Sequence, residues 1–370
     1  MTGAARVQPG NASTDTQSVV SLSVIVPAYQ CAPMLSRCID GLNASDLPRS
    51  AWELLVVDDG SSDDTPAVAQ RSADAVLRVV DGPKGPASAR NLGARAARGD
   101  VLVFIDADVV VGKTTLRGFA DHFAKDPSVA AIFGAYDDSP ADPGVVSQYR
   151  NLLHRYVHTL GAGDAETFWA GCGAVRREAF LAVGGFDAAR YPRPQIEDIE
   201  LGYRLKARGE HILLDPALVG SHLKRWTLFK MLRTDLRERA IPWMHLLLSR
   251  RNVVGDGPLN LAVMEKVLTA LAGIGTASLV LALVMRSAAL GWLAAACAAM
   301  IIVGNAKLFA WFARRRGWMF AVATMPLRLM FYVVSAAGGA WAIVTHAGHS
   351  VPSSLAPLQS TPDPRSRGTS

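Results

Sequence analysis

Paired cysteines are the first feature that this sequence lacks. Its 370 residues contain four cysteines, Cys31, Cys38, Cys172 and Cys297. This spacing excludes a zinc module built from two Cys-x-x-Cys motifs, and a chain of this length does not depend on disulfides for its core. We therefore expect reduced thiols, as in a cytosolic or membrane protein.

Charged residues are also few, and they are unevenly distributed. They make up 19% of the chain, while hydrophobic residues make up 50%. From residue 261 onwards nine Lys and Arg stand against two acids, whereas the first 260 residues hold 29 basic and 30 acidic residues. The net charge of +6 thus belongs to the C-terminal third. We expect no nucleic-acid partner, and the apolar content excludes disorder for most of the chain.

Two common nucleotide-binding loops are missing as well. The first apolar run ends in Pro27-Ala28-Tyr29 without a Gly-x-Gly-x-x-Gly, and the sequence has no Walker-type lysine loop. Dinucleotide-binding Rossmann domains and P-loop enzymes are therefore disfavoured. Residues 1–20 lack the basic-then-apolar pattern of a signal peptide, and we expect them to form a flexible leader.

Strand-length apolar runs alternate with helix-like stretches between residues 21 and 220. The runs cover residues 22–27, 52–57, 75–80, 101–105 and 129–133, and the helix-like stretches cover 33–43, 64–72, 86–98 and 113–125. Runs that are apolar throughout are typical of parallel strands buried on both faces. The pattern predicts an α/β domain over 21–220 with a doubly wound, mostly parallel sheet.

Long apolar stretches dominate the C-terminal part. Residues 267–285, 288–312 and 318–344 each approach or exceed the ~20 residues that span a bilayer. We expect a membrane domain of about three C-terminal transmembrane helices over 261–346. Arg328 interrupts the third stretch, where it could snorkel, face the helix bundle or mark an interfacial segment.

The arginines set the expected orientation. Arg250 and Arg251 precede the first apolar stretch, and Arg314, Arg315 and Arg316 follow the second. The positive-inside rule then places the α/β domain in the cytoplasm, on a multi-pass protein of the inner (cytoplasmic) membrane.

Residues 221–260 mix basic side chains with Trp, Phe and Leu. Such a composition is typical of a helix in a membrane interface, and the alternative is a solvated helix packed on the domain. Residues 347–370 are rich in Ser and Pro, and we expect a disordered tail.

Acidic pairs follow two of the predicted strands. Asp58 and Asp59 follow the second strand, and Asp106 and Asp108 follow the fourth. Open α/β sheets bind ligands at this end of their strands. Alternation puts Asp106 and Asp108 on one face, where two carboxylates beside a diphosphate suit Mg²⁺ or Mn²⁺. Simple turn chemistry and helix capping are the alternatives.

Two further segments carry polar side chains. Residues 84–91 offer Lys84, Arg90 and Asn91 around a helix start, where they could contact a base or a phosphate. Residues 184–200 hold Asp187, Glu197, Asp198 and Glu200. These acids could simply interact favourably with the dipole of the helix that begins there, but the more specific hypothesis is that one of them acts as a general base.

Five segments together resemble the family-2 glycosyltransferases. They are "SVIVPAYQ", "ELLVVDDGSSDDT", "GPASARNLGARAARGDVLVFIDAD", "AVRREAFLAVGGFD" and "EDIELGYRLKARG", in the family's order across residues 22–210. The resemblance implies the GT-A nucleotide-sugar-binding fold. It also implies an inverting transfer by direct displacement, here on a membrane-anchored enzyme of envelope glycan or glycolipid synthesis.

The same resemblance assigns donor-binding residues. Asp58 or Asp59 would contact the nucleotide base, Pro27 and Tyr29 would line its pocket, and Arg90 would lie nearby. The donor would be a UDP-, GDP- or dTDP-sugar.

It also assigns the reacting groups. Asp106 would contact the ribose, Asp108 would hold the metal, and His222 would lie near the diphosphate. Asp198 would deprotonate the acceptor hydroxyl, with Glu197 beside it. The acceptor would be lipid-linked or close to the membrane.

Three alternatives stay open. A polyprenyl-phosphate glycosyltransferase attacks with an ionised phosphate and would need no base at Asp198. A catalytically silent nucleotide-sugar-binding scaffold is the second. A processive synthase is the third, although His222 stands where its Gln-x-x-Arg-Trp motif has glutamine, and no membrane span precedes the α/β domain in this sequence. Substrate choice would depend on pocket residues such as Trp169, Cys172 and Tyr191.

Overall fold

The computed structural model describes residues 21–249 and 263–346. The predicted leader, residues 250–260 of the interfacial segment and the predicted tail lie outside the described residues. The strands are β1 (Leu22–Ala28), β2 (Trp52–Asp58), β3 (Ala75–Arg78), β4 (Val101–Ile105), β5 (Val109–Val111), β6 (Val129–Tyr136), β7 (Gly163–Asp164), β8 (Cys172–Arg176) and β9 (His211–His222).

Helices surround this sheet and continue beyond it. The helices of the α/β domain are α1 (Ala32–Asn43), α2 (Thr65–Gln70), α3 (Pro86–Ala96), α4 (Thr115–Lys125), α5 (Val145–Leu160), α6 (Arg177–Ala182) and α7 (Glu197–Ala207). After the sheet come α8 (Leu228–Thr234), a π-helix (Asp235–Ala240), α9 (Ile241–Ser249), α10 (Val263–Met285), α11 (Ala288–Gly304), α12 (Ala306–Arg316) and α13 (Trp318–Thr345).

The strands form one sheet in the order β3-β2-β1-β4-β8-β6-β9-β5, and β7 pairs with β9. Its first half, β3 to β4, is parallel, as the apolar runs predict. In the second half β8 is antiparallel to both β4 and β6, while β6 and β9 are parallel. The sequence analysis did not predict β5, β7, β8 or β9, which are short or contain glycine and polar residues.

Both faces of the sheet are covered, which confirms the doubly wound prediction. Val24 and Val26 belong to one buried cluster, together with residues of α1 and α4. Ile25 and Phe104 belong to the other, together with residues of α3 and α7. Successive side chains of β1 therefore enter opposite layers, as the pleat requires.

Strand register brings the ligand-binding candidates to one edge. Ala28, the last residue of β1, pairs with Asp58 at the end of β2. Ile105, the last residue of β4, pairs with Cys172 at the start of β8, because β8 runs the opposite way. At the same edge His222 ends β9 opposite Val109.

The segment after the sheet is helical from Leu228 to Ser249 in the described part. Trp226 and Met231 are buried against α5 and α12, whereas the side chain of Phe229 is 78% exposed. The segment thus has one packed side and one exposed side. Its location in a membrane interface stays a prediction.

Two helices of the described chain, α10 and α13, are long and apolar enough to cross a membrane. The third predicted span, over 288–312, is broken, because α11 and α12 meet at an angle of 59°. The pair counts as a third span only if the two helices are taken together. The break falls at Gly304-Asn305, two poor helix formers, and the Asn305 side chain donates back to the Ile301 carbonyl at 2.9 Å.

Helix α12 packs against the α/β domain. Phe312 lies edge-on to Tyr149 of α5, with ring centroids 6.1 Å apart. Arg315 pairs with Asp138, and Arg316 Nε donates to Gln148 Oε1 at 3.1 Å. These contacts place the end of α12 that carries the arginines directly on the domain.

A buried polar network joins the three apolar segments. Arg328 of α13 donates to both carboxylate oxygens of Glu265 on α10, at 2.8 and 2.9 Å, and to Asn305 Oδ1 at 2.8 Å. The Tyr332 hydroxyl also contacts Glu265, at 3.0 Å. The sequence analysis left three possible locations for the Arg328 side chain. In the structure this side chain faces the helix bundle.

This network predicts a specific pattern of stability. Arg328→Met should cost about 3 kcal/mol, because it removes the buried cation and leaves the partly buried carboxylate of Glu265 without its partner. The double variant E265L/R328M should recover most of that loss, since an apolar pair needs no compensation. Thermal unfolding of detergent-purified variants measures both effects. Arg286→Met, at an exposed position, is the matched control. Equal midpoints for all variants would show that the network contributes nothing.

Candidate active site

A cavity of about 710 Å³ opens at the edge where the candidate residues converge. Its wall combines the end of β1, the residues after β4, the start of α7 and the end of β9. Residues of helices α5 and α13 and of the π-helix complete the wall.

The structure brings together nine of the ten site residues predicted from the sequence. Those that line the cavity are Pro27, Tyr29, Asp59, Arg90, Asp106, Asp108, Glu197, Asp198 and His222. Asp58 is absent from the wall and almost fully buried. Its Oδ1 accepts the Ser61 backbone N–H at 2.9 Å, so it stabilises the turn after β2. Of these two acids only Asp59 lies on the cavity wall, and a contact of either with a nucleotide base stays a prediction.

Asp59 is held by the loop that follows β3. The backbone N–H groups of Lys84 and Gly85 donate to its two carboxylate oxygens, at 2.8 and 2.7 Å. Gly85 has φ +86°, and a Cβ there would lie 2.6 Å from the Pro192 carbonyl oxygen. Only glycine fits this position, which brings the loop close to the segment before α7.

Arg90 is the central charge of the site. Its Nη2 donates to Asp106 Oδ1 at 2.6 Å, and its Nη1 donates to Glu197 Oε1 at 2.9 Å. Arg90 and Glu197 are both buried. Although burial lowers the pKa of Arg90, the charges of Asp106 and Glu197 raise it above its usual value. One guanidinium therefore ties the end of β4 to the start of α7.

Asp108 and His222 lie side by side on the cavity wall, with Asp108 Oδ2 3.6 Å from His222 Nε2. Burial raises the pKa of Asp108, but the hydrogen bond and charge of His222, followed by the charge of Lys224, hold it below its usual range. Asp106 differs, because burial and the charge of Asp108 raise its pKa despite Arg90.

Asp108 and His222 fit a divalent cation as a partial ligand set. A carboxylate oxygen and an imidazole nitrogen suit Mn²⁺, and Mg²⁺ accepts one or two carboxylates plus water and phosphate oxygens. Within residues 21–249 and 263–346, no group of three or more His, Cys, Asp or Glu is placed to hold a metal. The remaining ligands would therefore have to come from the substrate and water.

Asp198 lies next to Glu197 and is half-buried. Its Oδ2 accepts the Ala170 N–H at 3.1 Å, and its Oδ1 accepts the Ile199 N–H at 2.8 Å. Burial, followed by the negative charge of Glu197, raises its pKa to about 7. A carboxylate with a pKa near 7 is well matched to proton transfer at neutral pH.

Aromatic side chains that the sequence analysis mostly missed form the floor of the cavity. Tyr136 stacks on His222, with ring centroids 4.4 Å apart. Trp169 lies 4.9 Å from Tyr136 and 4.4 Å from His154. No sequence signal marks Tyr136 or His154, since one ends a strand and the other lies within a long helix. Of the proposed specificity residues, Trp169 lines the cavity, whereas Cys172 and Tyr191 lie in buried clusters.

Comparison with known families identifies most of this domain. Residues 23–184 match the sequence model described as Glycosyl transferase family 2. These residues form a glycosyltransferase family 2 domain. The match contains the acidic residues after β2 and β4 and ends before Glu197 and Asp198.

Curated relatives of the glycosyltransferase domain act in different settings. A validoxylamine A glucosyltransferase from Streptomyces hygroscopicus subsp. jinggangensis is 30% identical over 228 residues, covering 52% of this chain and 53% of that protein. A pre-mycofactocin glycosyltransferase from Mycobacterium tuberculosis is 27% identical over 209 residues, covering 54% of this chain and 42% of that protein. The chain thus spans about half of the length, or less, of these relatives.

Among solved structures, a mannosyltransferase from Pyrobaculum calidifontis, in complex with GDP-Man and Mn²⁺, has a TM-score of 0.56. The two chains are 22% identical, and the match covers 90% of this chain and 91% of that one. The similarity shows the fold, and the predicted GT-A-type architecture is confirmed.

The central position of Arg90 predicts a large effect of its removal. Arg90→Gln should destabilise the glycosyltransferase domain by about 3–5 kcal/mol, because Asp106 and the buried Glu197 lose their shared cation. Chemical denaturation followed by tryptophan fluorescence measures the change. Arg95→Gln, on the exposed side of the same helix, should stay within about 0.5 kcal/mol of wild type. Equal stabilities for the two variants would contradict a bridging role.

Proposed function

We propose that this protein transfers a sugar, with inversion, from a nucleoside diphosphate sugar to a hydroxyl of a lipid-linked or membrane-proximal acceptor. One observation carries the proposal: a candidate metal pair, Asp108 and His222, and a half-buried carboxylate with a pKa of about 7, Asp198, face the same cavity. A helix apolar enough to cross a membrane, α13, supplies part of the cavity wall. The relatives and the family match support transfer from a nucleotide sugar.

The donor side of the cavity is the loop and strand-end region around Asp59. Pro27, Tyr29 and Asp59 would bind the nucleotide base of a UDP-, GDP- or dTDP-sugar, and Asp106, fixed by Arg90, would bind the ribose. Asp108 and His222 would hold Mg²⁺ or Mn²⁺. When bound, such an ion neutralises charge that develops on the departing diphosphate.

The acceptor side is the region around Asp198. Its backbone hydrogen bonds from Ala170 and Ile199 fix the carboxylate, so it would accept the proton of an attacking hydroxyl without reorientation. Attack opposite the leaving diphosphate gives inversion. The neighbouring Glu197 stays tied to Arg90 and would act by raising the basicity of Asp198.

The expected setting is the cytoplasmic face of the inner membrane, in envelope glycan or glycolipid synthesis. The apolar helices α10 and α13, and the arginines of α12 placed against the glycosyltransferase domain, support attachment to a membrane on that side.

A second candidate is a transferase whose acceptor is a polyprenyl phosphate. Cations on the cavity wall, among them Lys230 and Arg239, favour an anionic acceptor. An ionised phosphate attacks without a base, so the two functions differ in their need for Asp198.

Asp198→Asn tests the choice between these acceptors. A hydroxyl acceptor predicts a loss of about 10²- to 10⁴-fold in transfer, because the proton acceptor is removed. Transfer of radiolabelled sugar from a panel of UDP-, GDP- and dTDP-sugars to total membrane lipid measures it. Asp121→Asn, an exposed carboxylate outside this cavity, is the control. Activity that survives in Asp198→Asn would favour the phosphate acceptor instead.

The raised pKa of Asp198 predicts the pH dependence. Below its pKa of about 7 the carboxyl is protonated and cannot accept a proton, so kcat/KM should rise about tenfold per pH unit and level off above pH 7. Initial rates between pH 5 and 9 measure the profile. A flat profile over this range would contradict Asp198 as the base.

Asp108→Asn tests the metal site. Removal of one anionic ligand should weaken Mn²⁺ binding and abolish release of the nucleoside diphosphate, as should a chelator added to the wild type. Calorimetric titration with Mn²⁺ gives a readout that does not depend on turnover. Wild-type rates in the presence of chelator would show that the transfer needs no metal.

A further inference from the structure

Four cations gather on one part of the cavity wall. We call Arg150, Lys224, Lys230 and Arg239 the cationic end. Three of them surround the ring of Trp226: Arg150 at 5.2 Å, Lys224 at 4.8 Å and Lys230 at 5.9 Å from its centroid. The wall of the same cavity also carries the carboxylates around Arg90.

Arg239 is the cation of this group whose charge acts on the proposed base. Its charge acts on Tyr136 and Asp198, whereas the charge of Lys224 acts on Asp106 and Asp108. Lys224 therefore serves the donor side of the cavity. Arg239 and the proposed base, Asp198, both lie on the wall of this cavity.

No carboxylate forms an ion pair with Arg239 in the part of the chain that the structure describes. Two acids of the same π-helix lie near these cations. Asp235 is already bound by Arg150 through two contacts of 3.0 and 2.7 Å, and Glu238, which also lines the cavity, accepts from Gln195 Nε2 at 3.1 Å. Arg239 is open to the cavity, yet the close protein surroundings and the charge of Arg150 lower its pKa to about 10. Arg239 therefore stays charged at neutral pH, and a bound anion would offset the repulsion between its charge and that of Arg150.

The backbone that carries Arg239 is fixed on two sides. Asp235 ties the π-helix to Arg150 of α5. On the other side Gly338 of α13 packs against Ala240, where an added Cβ would lie 2.6 Å from the Ala240 Cβ. π-Helical turns are rare and are frequent at functional sites, and this one holds the guanidinium at the cavity wall.

An apolar wall adjoins the cationic end. Phe331 of α13 lines the same cavity, as do Leu153 and Val157 of α5. Since α13 is one of the helices apolar enough to cross a membrane, a ligand at Arg239 would lie next to a surface suited to an acyl or prenyl chain. The two neighbouring chemistries, cation and apolar helix, match a lipid that carries phosphate at its head.

We propose that Arg239, with Arg150 behind it, binds the phosphate or diphosphate that links the acceptor sugar to its lipid. This assignment rests on the proposed transferase function and names its acceptor class. The lipid chain would run along Phe331 and α13, and the terminal sugar hydroxyl would reach Asp198.

Lipid binding by the full-length protein in detergent tests this subsite without turnover. The protein is saturated with Mn²⁺ and UDP, and in parallel with Mn²⁺ and GDP, to fill the donor side. It is then titrated with geranylgeranyl diphosphate and with its uncharged counterpart geranylgeraniol. Arg239→Gln should weaken binding of the diphosphate roughly 10- to 100-fold, the loss expected for a charge-assisted contact, and leave binding of the alcohol unchanged.

Two matched variants, together with binding of UDP and GDP, show whether Arg239 binds the phosphate of the lipid or that of the nucleotide. Arg237→Gln, exposed on the same π-helix and outside the cavity wall, should bind both lipids like wild type, and Arg239→Lys should retain part of the affinity. Wild-type diphosphate binding in Arg239→Gln would overturn the proposal. So would an equal loss for geranylgeraniol, or weaker UDP and GDP binding in Arg239→Gln, which would assign the cation to the donor.

The proposed function and this subsite fail independently. Arg239-dependent binding without any sugar transfer would refute the transferase and leave the subsite intact. Transfer that depends on Asp198, with lipid binding indifferent to Arg239, would support the transferase and refute the subsite.

Discussion

A single buried arginine sets the geometry of the cavity. Carboxylates from β4 and from α7 converge where the sheet ends, and burying them together is unfavourable without a cation between them. Arg90 supplies that cation and, because its guanidinium is rigid and bidentate, it also fixes the distance between the two elements. The positions of Asp108 on one side and Asp198 on the other follow from this connection.

The cavity uses the same residue type for opposite tasks. Asp108 lies beside His222 and Lys224, and its pKa is lowered; Asp198 lies beside Glu197, and its pKa is raised to about 7. One carboxylate thus remains ionised for a cation, while the other can exchange a proton near neutral pH. Arg150, Lys224, Lys230 and Arg239 add positive charge to the wall of the same cavity, which suits the anionic acceptor that we propose.

The parts of this site that could be predicted are those formed by residues close to one another in the sequence. Apolar runs located β1 to β4 and β6, because parallel strands buried on both faces leave a continuous hydrophobic signal. Acids placed directly after those strands had to meet at one edge, since parallel strands share their direction. Nine of the ten site residues that the motifs assigned line the cavity. The interrupted span at Asn305 was not predicted, because local composition there is still largely apolar.

The sequence by itself determined the α/β class, the donor-side carboxylates and the apolar helices, all of which depend on local pattern. Only the tertiary structure showed that Asp59 and not Asp58 lines the cavity, because the turn at Ser61 holds Asp58 and the loop after β3 holds Asp59. It alone placed Arg239, Phe331 and Asp198 on the wall of one cavity. Those residues lie on separate helices, and their approach depends on close packing at Gly338, which no local pattern records.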